Sequence, residues 1–282
     1  MKKIFFKSIS LSILLTLTCM QLYSQVMNMP TTQTITRLKN STTYIVLEGG
    51  MGSEFDMQIK KYANKYWTLT PFQIIDMNQY ERLCKNPANS FLMLVQGQYN
   101  IQGKKLDVNL LTLVLGDKSG DINKMTDVLS IPLALLDEDG DSEEYGYKLG
   151  GILRAMQHTL NNLPAEKITS LNIKDYLQKD KNEIKNSTLL LTLEDLANDG
   201  YNVSQIKSFY THPFAVVDEN SIEKAIIEKE KACFCHIVGE DGKYCIKIII
   251  HCADGRILYG NFHQVSNKTP IGLLKSDFQT IN

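Results

Sequence analysis

Cysteine and histidine side chains are concentrated between residues 233 and 252, the densest set of soft metal ligands in the chain. The set comprises Cys233, Cys235, His236, Cys245, His251 and Cys252. Thiolates and imidazoles are the donors that zinc prefers, but structural zinc sites usually place paired cysteines on a short turn. Cys233 and Cys235 instead alternate along a predicted strand, as small buried apolar residues do. We therefore predict core cysteines, with or without one disulfide, and a metal-binding module remains an alternative.

The acidic stretch 137–143 alternates carboxylates as a calcium loop would, with acids at Asp137, Asp139, Asp141 and Glu143. An EF-hand loop needs glycine at its sixth position and glutamate at its twelfth. Those positions hold Ser142 and Lys148 here. The stretch is therefore predicted to be a solvated acidic linker.

Catalytic and phosphate-binding motifs give no assignment. The histidines of the chain (His158, His212, His236, His251 and His263) lie in no nucleophile motif, and Gly-x-Ser-x-Gly is missing from the sequence. The glycine-rich stretch 48–52 has no phosphate-loop lysine, and Glu54 and Asp56 would repel an anion at the following helix start. We assign no catalytic, cofactor-binding or metal-binding residue and expect no cofactor.

The first residues have the layout of a cleaved secretory signal. Lys2, Lys3 and Lys7 precede the apolar run 9–17, and the segment 22–25 (Leu-Tyr-Ser-Gln) ends in small and polar residues. Residues 1–25 are predicted to be a signal peptide cut after Gln25, which makes the protein periplasmic or secreted. Lipidation of Cys19, giving an outer-membrane lipoprotein, is the alternative. Removal of three lysines leaves 27 basic against 31 acidic residues, a charge that argues against a nucleic-acid partner.

An internal duplication organises the rest of the chain. Residues 39–48 and 185–194 are identical at six of ten positions, at an offset of 146. Residues 71–81 and 213–223 share five identities, including Phe72 with Phe214, at an offset of 142. Two matches in the same order at nearly the same offset indicate two diverged copies of one unit.

Local patterns predict the elements of that unit. The predicted strands are 43–47, 71–75, 91–95 and 106–115 in the first copy, with 232–238 and 244–252 closing the second. Ser53 with Asp56 predicts the start of one helix, and Asn78 with Glu81, repeated as Asn220 with Glu223, predicts the cap of a second, short helix. Each unit is therefore predicted to be β-α-β-α-β-β, and the fold class α+β, with helices on one face of a mixed sheet.

Apolar residues at helical spacing over 145–163 predict an amphipathic helix that joins the copies and packs against them. Gly150 and Gly151 in this helix indicate a close approach to another element. The predicted organisation is a first unit at 26–136, an acidic linker with connecting helices at 137–182, and a second unit at 183–282.

Three features of the sequence carry a family resemblance, namely the signal ending in Tyr-Ser-Gln, the segment 66–72 (Tyr-Trp-Thr-Leu-Thr-Pro-Phe) and the strand 90–92 (Ser-Phe-Leu). In these features the chain resembles uncharacterised exported proteins of Bacteroidota-type bacteria. More distantly, the second unit with its segment 254–259 is similar to the small α/β domain of TolB and CsgG, which are envelope assembly proteins. This similarity concerns the fold and brings no activity.

These observations favour a non-enzymatic cell-envelope protein that binds another envelope protein or takes part in an assembly. An exported hydrolase with a site between the two units is the alternative, beside the metal-binding module already mentioned. Polar groups gathered in a cleft between the copies would favour the enzyme, and an exposed apolar patch would favour partner binding.

Overall fold

The computed structural model describes residues 29–49, 53–136, 145–163, 168, 172–197 and 201–282. The predicted signal peptide, Cys19 and the whole acidic stretch 137–143 lie outside these residues. Within them, no helix is both long enough and apolar enough to cross a bilayer.

The first unit forms a five-stranded mixed sheet in the order β2-β1-β3-β4-β5. Its elements are α1 (Thr32–Lys39), β1 (Thr42–Val46), α2 (Glu54–Tyr66), β2 (Phe72–Ile75), α3 (Met77–Leu83), β3 (Asn89–Ile101), β4 (Lys104–Leu115) and β5 (Thr126–Leu135). β1 pairs in parallel with β2 and β3, and the last three strands form an antiparallel meander.

A second sheet repeats this order as β7-β6-β8-β9-β10. The elements that precede and form it are α4 (Leu149–Asn161), α5 (Ile173–Gln178), β6 (Thr188–Leu191), α6 (Val203–Phe209), β7 (Phe214–Val216), α7 (Glu219–Glu228), β8 (Ala232–Gly239), β9 (Tyr244–His251), β10 (Ile257–Gln264) and α8 (Lys275–Ile281). The pairings match those of the first sheet strand for strand. The α+β class and the tandem duplication are confirmed.

Equivalent residues occupy equivalent register positions in the two sheets. Phe72 pairs with Thr43 and Phe214 pairs with Leu189, and these partners are 146 residues apart like the first repeat match. Each unit also has a fifth strand, β5 or β10, beyond the four that were predicted. The added strand β5 ends at Leu135, inside the predicted first unit 26–136.

The predicted caps of the short helices are wrong by two residues. Asp76 caps α3 by accepting from the Gln79 amide at 2.8 Å, and Asp218 caps α7 by accepting from the Ser221 amide at 2.8 Å. Asn78 lies in the first turn of α3. Aspartate is as good an N-cap residue as asparagine, and Asp76 and Asp218 are repeated at the same offset.

Glu223, the predicted capping partner of Asn220, binds the first unit instead. Its carboxylate accepts a 2.5 Å hydrogen bond from the Tyr62 hydroxyl and lies 2.7 Å from Lys61 Nζ. The carboxylate therefore joins α7 to α2, across the boundary between the two units.

The helices of each unit lie on both faces of the sheet, so the prediction of helices on one face is wrong. α2 packs on the face that carries Ile45, whereas Tyr80 of α3 packs on the opposite face with Phe91. The physical reason is the hand of the crossovers. The chain steps from β1 outward to β2 and then back past β1 to β3, and two right-handed crossovers in opposite directions place their helices on opposite faces.

The two units turn opposite faces toward each other. Ile45 of β1 points into the shared core, but its equivalent in the second unit, Leu191, points into the separate outer core. Phe91 lies in an outer cluster, whereas its equivalent Phe234 lies in the shared core. The first unit therefore contributes its α2 face to the shared core, and the second unit contributes its α7 face.

The predicted joining helix is α4, and it is the central element of the shared core. Arg154 donates from Nη1 to the carbonyls of Ile226 (3.2 Å) and Cys252 (2.6 Å) in the second unit. Gln157 donates from Nε2 to the Tyr66 carbonyl of the first unit at 3.0 Å. These two buried side chains satisfy backbone groups of both units, so α4 fixes the units to each other.

Candidate ligand-binding cleft

A cleft of about 400 Å³ lies where the two units meet beside the start of α4. Its walls come from the end of β5, the turn Gly146–Lys148 with Tyr145 before it, the loop after β6, the first residue of α7, and β8. Small-molecule sites in proteins range from about 300 to 1,000 Å³. The cleft is therefore large enough for a small ligand or for one side chain with part of its backbone.

The second sheet places polar residues here for a topological reason. Thr192, Glu194 and Asp195 follow β6, and Glu219 follows the neighbouring parallel strand β7. The carboxyl ends of parallel strands meet at one edge of an open α/β sheet, which is where such sheets bind ligands. The end of β5 in the first unit forms the cleft wall that faces this edge of the second sheet.

A buried ion pair lies in the wall of the cleft. Lys148 Nζ is 3.3 Å from Asp195 Oδ1, and the two side chains are 8% and 3% exposed. Asp195 also accepts from the Thr192 amide at 2.9 Å, and the Lys148 ammonium lies 5.0 Å from the centre of the Tyr147 ring. Burial disfavours the ammonium, but the charge of Asp195 and the contact with Tyr147 outweigh it and raise the pKa of Lys148.

His236 lies in the same wall and holds the units together. Its Nε2 is 2.7 Å from the Pro132 carbonyl of β5. A carbonyl can only accept, so Nε2 carries the hydrogen of the neutral ring. Burial, with the nearby Lys148 charge, lowers the pKa of His236 to about 3. The ring is therefore uncharged at neutral pH and is a weak base.

Glu194 and Glu219 are exposed residues on the cleft lining. Glu194 belongs to the first repeat match, and its equivalent in the first unit is Glu48. Glu48 is exposed as well, but it is not among the residues that line the cleft. The same residue type therefore occurs at two equivalent places, of which one borders the cavity.

Five described cysteines are buried and unbridged, namely Cys84 and the four that were predicted to be core residues, Cys233, Cys235, Cys245 and Cys252. Burial raises the pKa of the last four, so these thiols are protonated at neutral pH. A protonated thiol is a poor nucleophile and a poor metal ligand. Across the part of the chain that the structure describes, no three His, Cys, Asp or Glu side chains are grouped to hold a metal ion.

The cysteine–histidine cluster of the sequence is divided by the strands of the second sheet. Cys233 and Cys235 point into the outer core, whereas Cys252 points into the shared core. His251 Nδ1 lies 2.9 Å from Asp254 Oδ1, whereas His236 contacts the Pro132 carbonyl. The two histidines therefore do not face a common metal site. The spacing of Cys233 and Cys235 is therefore explained by alternation along a buried strand and not by a metal site.

Sequence reasoning assigned no site residue, so the cleft was missed. The identity of Glu48 and Glu194 in the repeat was a visible signal. Lys148 appeared only as the wrong residue in a calcium loop, and its pairing with Asp195 is a contact between distant parts of the chain.

No family model, no curated protein and no solved structure matches this chain. The class of the protein is therefore defined by its own architecture, a duplicated α+β scaffold with a cleft between the copies.

Proposed function

We propose that the protein is an exported, non-enzymatic binding protein of the cell envelope, and that the cleft receives part of another envelope protein. The observation that carries this proposal is the cleft itself. Both units form its walls, and the lysine in its lining, Lys148, is paired with Asp195. A fixed Lys148–Asp195 pair and a neutral His236 give a preorganised surface, and preorganisation lowers the cost of binding.

An exported hydrolase would also place its site between the units, and the position of the cleft is the one observation that favours it. Acyl transfer needs a nucleophile within reach of a base that is matched to neutral pH. The described residues that line the cleft include neither a serine nor a cysteine. With a pKa of about 3, His236 is a weak general base, so binding is the better-supported function.

Charge reversal at the cleft is expected to abolish capture of the partner. We expect a tagged wild-type protein, purified from its native envelope after mild crosslinking, to retain a partner that Glu194→Lys loses. Glu194 is exposed, so the substitution leaves the core intact. The readout is quantitative mass spectrometry of the proteins that are captured with the tag.

The matched control is Glu48→Lys, which makes the same change at the equivalent exposed position outside the cleft. This variant should capture the same partner as the wild type. Equal loss in both variants, or equal capture by both, would refute a role for the cleft.

Turnover of an ester or peptide substrate that is lost in Lys148→Met would favour the hydrolase.

Export is expected to remove residues 1–25, because a basic start, an apolar run and a polar end are the layout of a cleaved secretory signal. The intact mass of the protein from its native host should correspond to a chain that begins at Val26. A retained Met1 would contradict export by this route, and a lipid on Cys19 would replace the soluble form with an anchored one.

A further inference from the structure

We propose that the cleft recognises a neutral carboxamide, the side chain of an asparagine or glutamine of the partner, through His236 and Thr192. This inference rests on the proposed function and specifies the chemistry of its ligand. It follows from the position of these two residues on neighbouring strands, from the polar atoms that they present, and from the pairing of the charges beside them.

His236 and Thr192 lie side by side in the wall of the cleft. The parallel strands β6 and β8 pair Leu190 with Phe234, and both of these side chains point into the shared core. Thr192 and His236 come two residues further along, so they lie at one level and on the same face of the second sheet. Neighbouring strands are about 4.8 Å apart, and one small polar group of a ligand therefore reaches both side chains.

Both side chains are buried, and each has a polar atom that no described residue satisfies. His236 and Thr192 are 3% and 4% exposed. His236 donates from Nε2 to the Pro132 carbonyl, and its Nδ1 has no hydrogen-bond partner among the described residues. The Thr192 amide donates to Asp195, but Thr192 Oγ1 likewise has no partner in the described part of the chain. Because buried polar groups are nearly always hydrogen-bonded, these two atoms point to a ligand that bonds with both.

The cleft is the cavity from which a ligand reaches these atoms. Neither atom is one of the unpartnered polar atoms that are sealed from solvent. His236 also borders a second cavity, but that cavity has a volume of only about 30 Å³ and is lined mostly by apolar groups such as Leu177 and Phe262. It has room for about one water molecule, whereas the cleft admits a side chain.

The two atoms select a group that both donates and accepts. Nδ1 of the neutral ring only accepts, and the Thr192 hydroxyl can donate. A carboxamide supplies an N–H for Nδ1 and a carbonyl oxygen for the hydroxyl at the same time. A carboxylate has no hydrogen for Nδ1, and an alkyl group leaves both buried atoms unpaired.

The charges beside the two atoms disfavour an ionic ligand. Lys148 Nζ lies 3.3 Å from Asp195, and both side chains are buried. A ligand carboxylate would compete with Asp195 and a ligand ammonium with Lys148, and separating a buried pair leaves an uncompensated charge. A neutral carboxamide leaves the pair intact, so it is favoured over either ion.

Calorimetric titration of the protein with four capped tripeptides tests this inference. The peptides are acetyl-Ala-X-Ala-amide, where X is glutamine, glutamate, lysine or norleucine, which has the chain length of glutamine without its polar atoms. We expect the glutamine peptide to bind about tenfold more tightly than the norleucine peptide, and more tightly than the two charged peptides. The preference for glutamine over norleucine should not change with salt concentration, because neither side chain is charged.

Thr192→Val should reduce this preference to about threefold, because one of the two hydrogen bonds is lost. The equivalent residue in the first unit is the buried Val46, so valine fits this place in the fold. The matched control Thr112→Val removes a buried hydroxyl from β4, outside the lining of the cleft, and should leave the preference at about tenfold.

Nuclear magnetic resonance of the wild-type protein tests the role of His236 without a substitution. Binding of the glutamine peptide should shift the ¹⁵N resonance of His236 Nδ1, because this nitrogen accepts a hydrogen bond only in the complex. The norleucine peptide should leave the resonance in place.

Equal binding of the glutamine and norleucine peptides, tighter binding of either charged peptide, equal effects of Thr192→Val and Thr112→Val, an unshifted Nδ1 resonance, or no binding of the glutamine peptide at millimolar concentration would each overturn the inference. Capture of an envelope partner that still depends on Glu194 would in that case leave the proposed function standing.

Discussion

Replacing Asp277 with alanine is expected to lower the free energy of unfolding by about 3–5 kcal/mol, because the substitution leaves a buried lysine without its partner. The Asp277 carboxylate accepts from Lys247 Nζ, from the Tyr259 hydroxyl at 2.6 Å and from the Leu274 amide at 2.8 Å. Both charged side chains are almost fully buried, at 0% and 1% exposed. The contacts hold α8 against the outer face of the second sheet.

Urea denaturation followed by circular dichroism measures the effect. A matched control is Glu228→Ala, which removes one partner of an exposed pair on α7, where Lys224 and Glu228 are 67% and 53% exposed. Exposed helical pairs of this kind contribute about 0.3–0.5 kcal/mol, so the control should change stability little. A loss of less than about 1 kcal/mol in Asp277→Ala would contradict the buried pair.

The stability conferred by Asp277 should depend on pH in a defined direction. Burial acts to raise the pKa of Asp277, but the charge and hydrogen bond of Lys247 outweigh it, and the folded pKa lies below the ordinary value. The contribution is therefore fully present above the unfolded pKa of about 3.9 and is lost as the pH falls through the folded pKa. The difference between wild type and Asp277→Asn should be constant from about pH 5 to 8 and shrink below about pH 4.

Gly151→Ala in α4 is expected to destabilise the protein by about 1–3 kcal/mol, although alanine is the better helix former by about 1 kcal/mol. A Cβ on Gly151 would lie 2.5 Å from Cζ of Phe234, and one on Gly150 would lie 2.7 Å from Cδ1 of Tyr62. The helix thus approaches an aromatic ring of each unit too closely for any side chain. Urea denaturation again gives the measurement.

Two further variants separate packing from helix propensity. Phe234→Leu combined with Gly151→Ala should cost less than the sum of the single substitutions, because the smaller residue makes room for the methyl group. Asn64→Ala, at an exposed position of α2, should be neutral or slightly stabilising. A stabilised Gly151→Ala variant would show that α4 is not held as closely as described.

Most of what the sequence predicted about the fold came from the internal repeat. Phe72 and Phe214 are identical residues within a stretch that repeats at a constant offset of 142. Such a repeat predicts that the two copies share one order of strands. The pair Gly150 and Gly151 also indicated the close approach that the structure shows. These features are local or repeated, and both kinds are visible in a single sequence.

The features that were missed depend on contacts between distant residues. Alternation predicts that Ile45 and Tyr44 lie on opposite faces of β1, but not which of these faces meets the other unit. The cleft depends on that choice, because Lys148 and Asp195 are neighbours only when the second unit turns its α7 face inward. The caps of the short helices were misplaced for a simpler reason, since Asp76 with Gln79 and Asn78 with Glu81 both have the spacing of a capping box.

The opposite orientation of the two faces has a consequence for stoichiometry and for divergence. In a two-fold arrangement, equivalent residues have the same surroundings, and each substitution acts twice. In this chain the repeated glutamates have different surroundings, with Glu194 at the cavity and Glu48 on open surface. One chain should therefore bind one ligand in this cleft, and selection can alter either glutamate without constraining the other, so the two copies were free to acquire different roles.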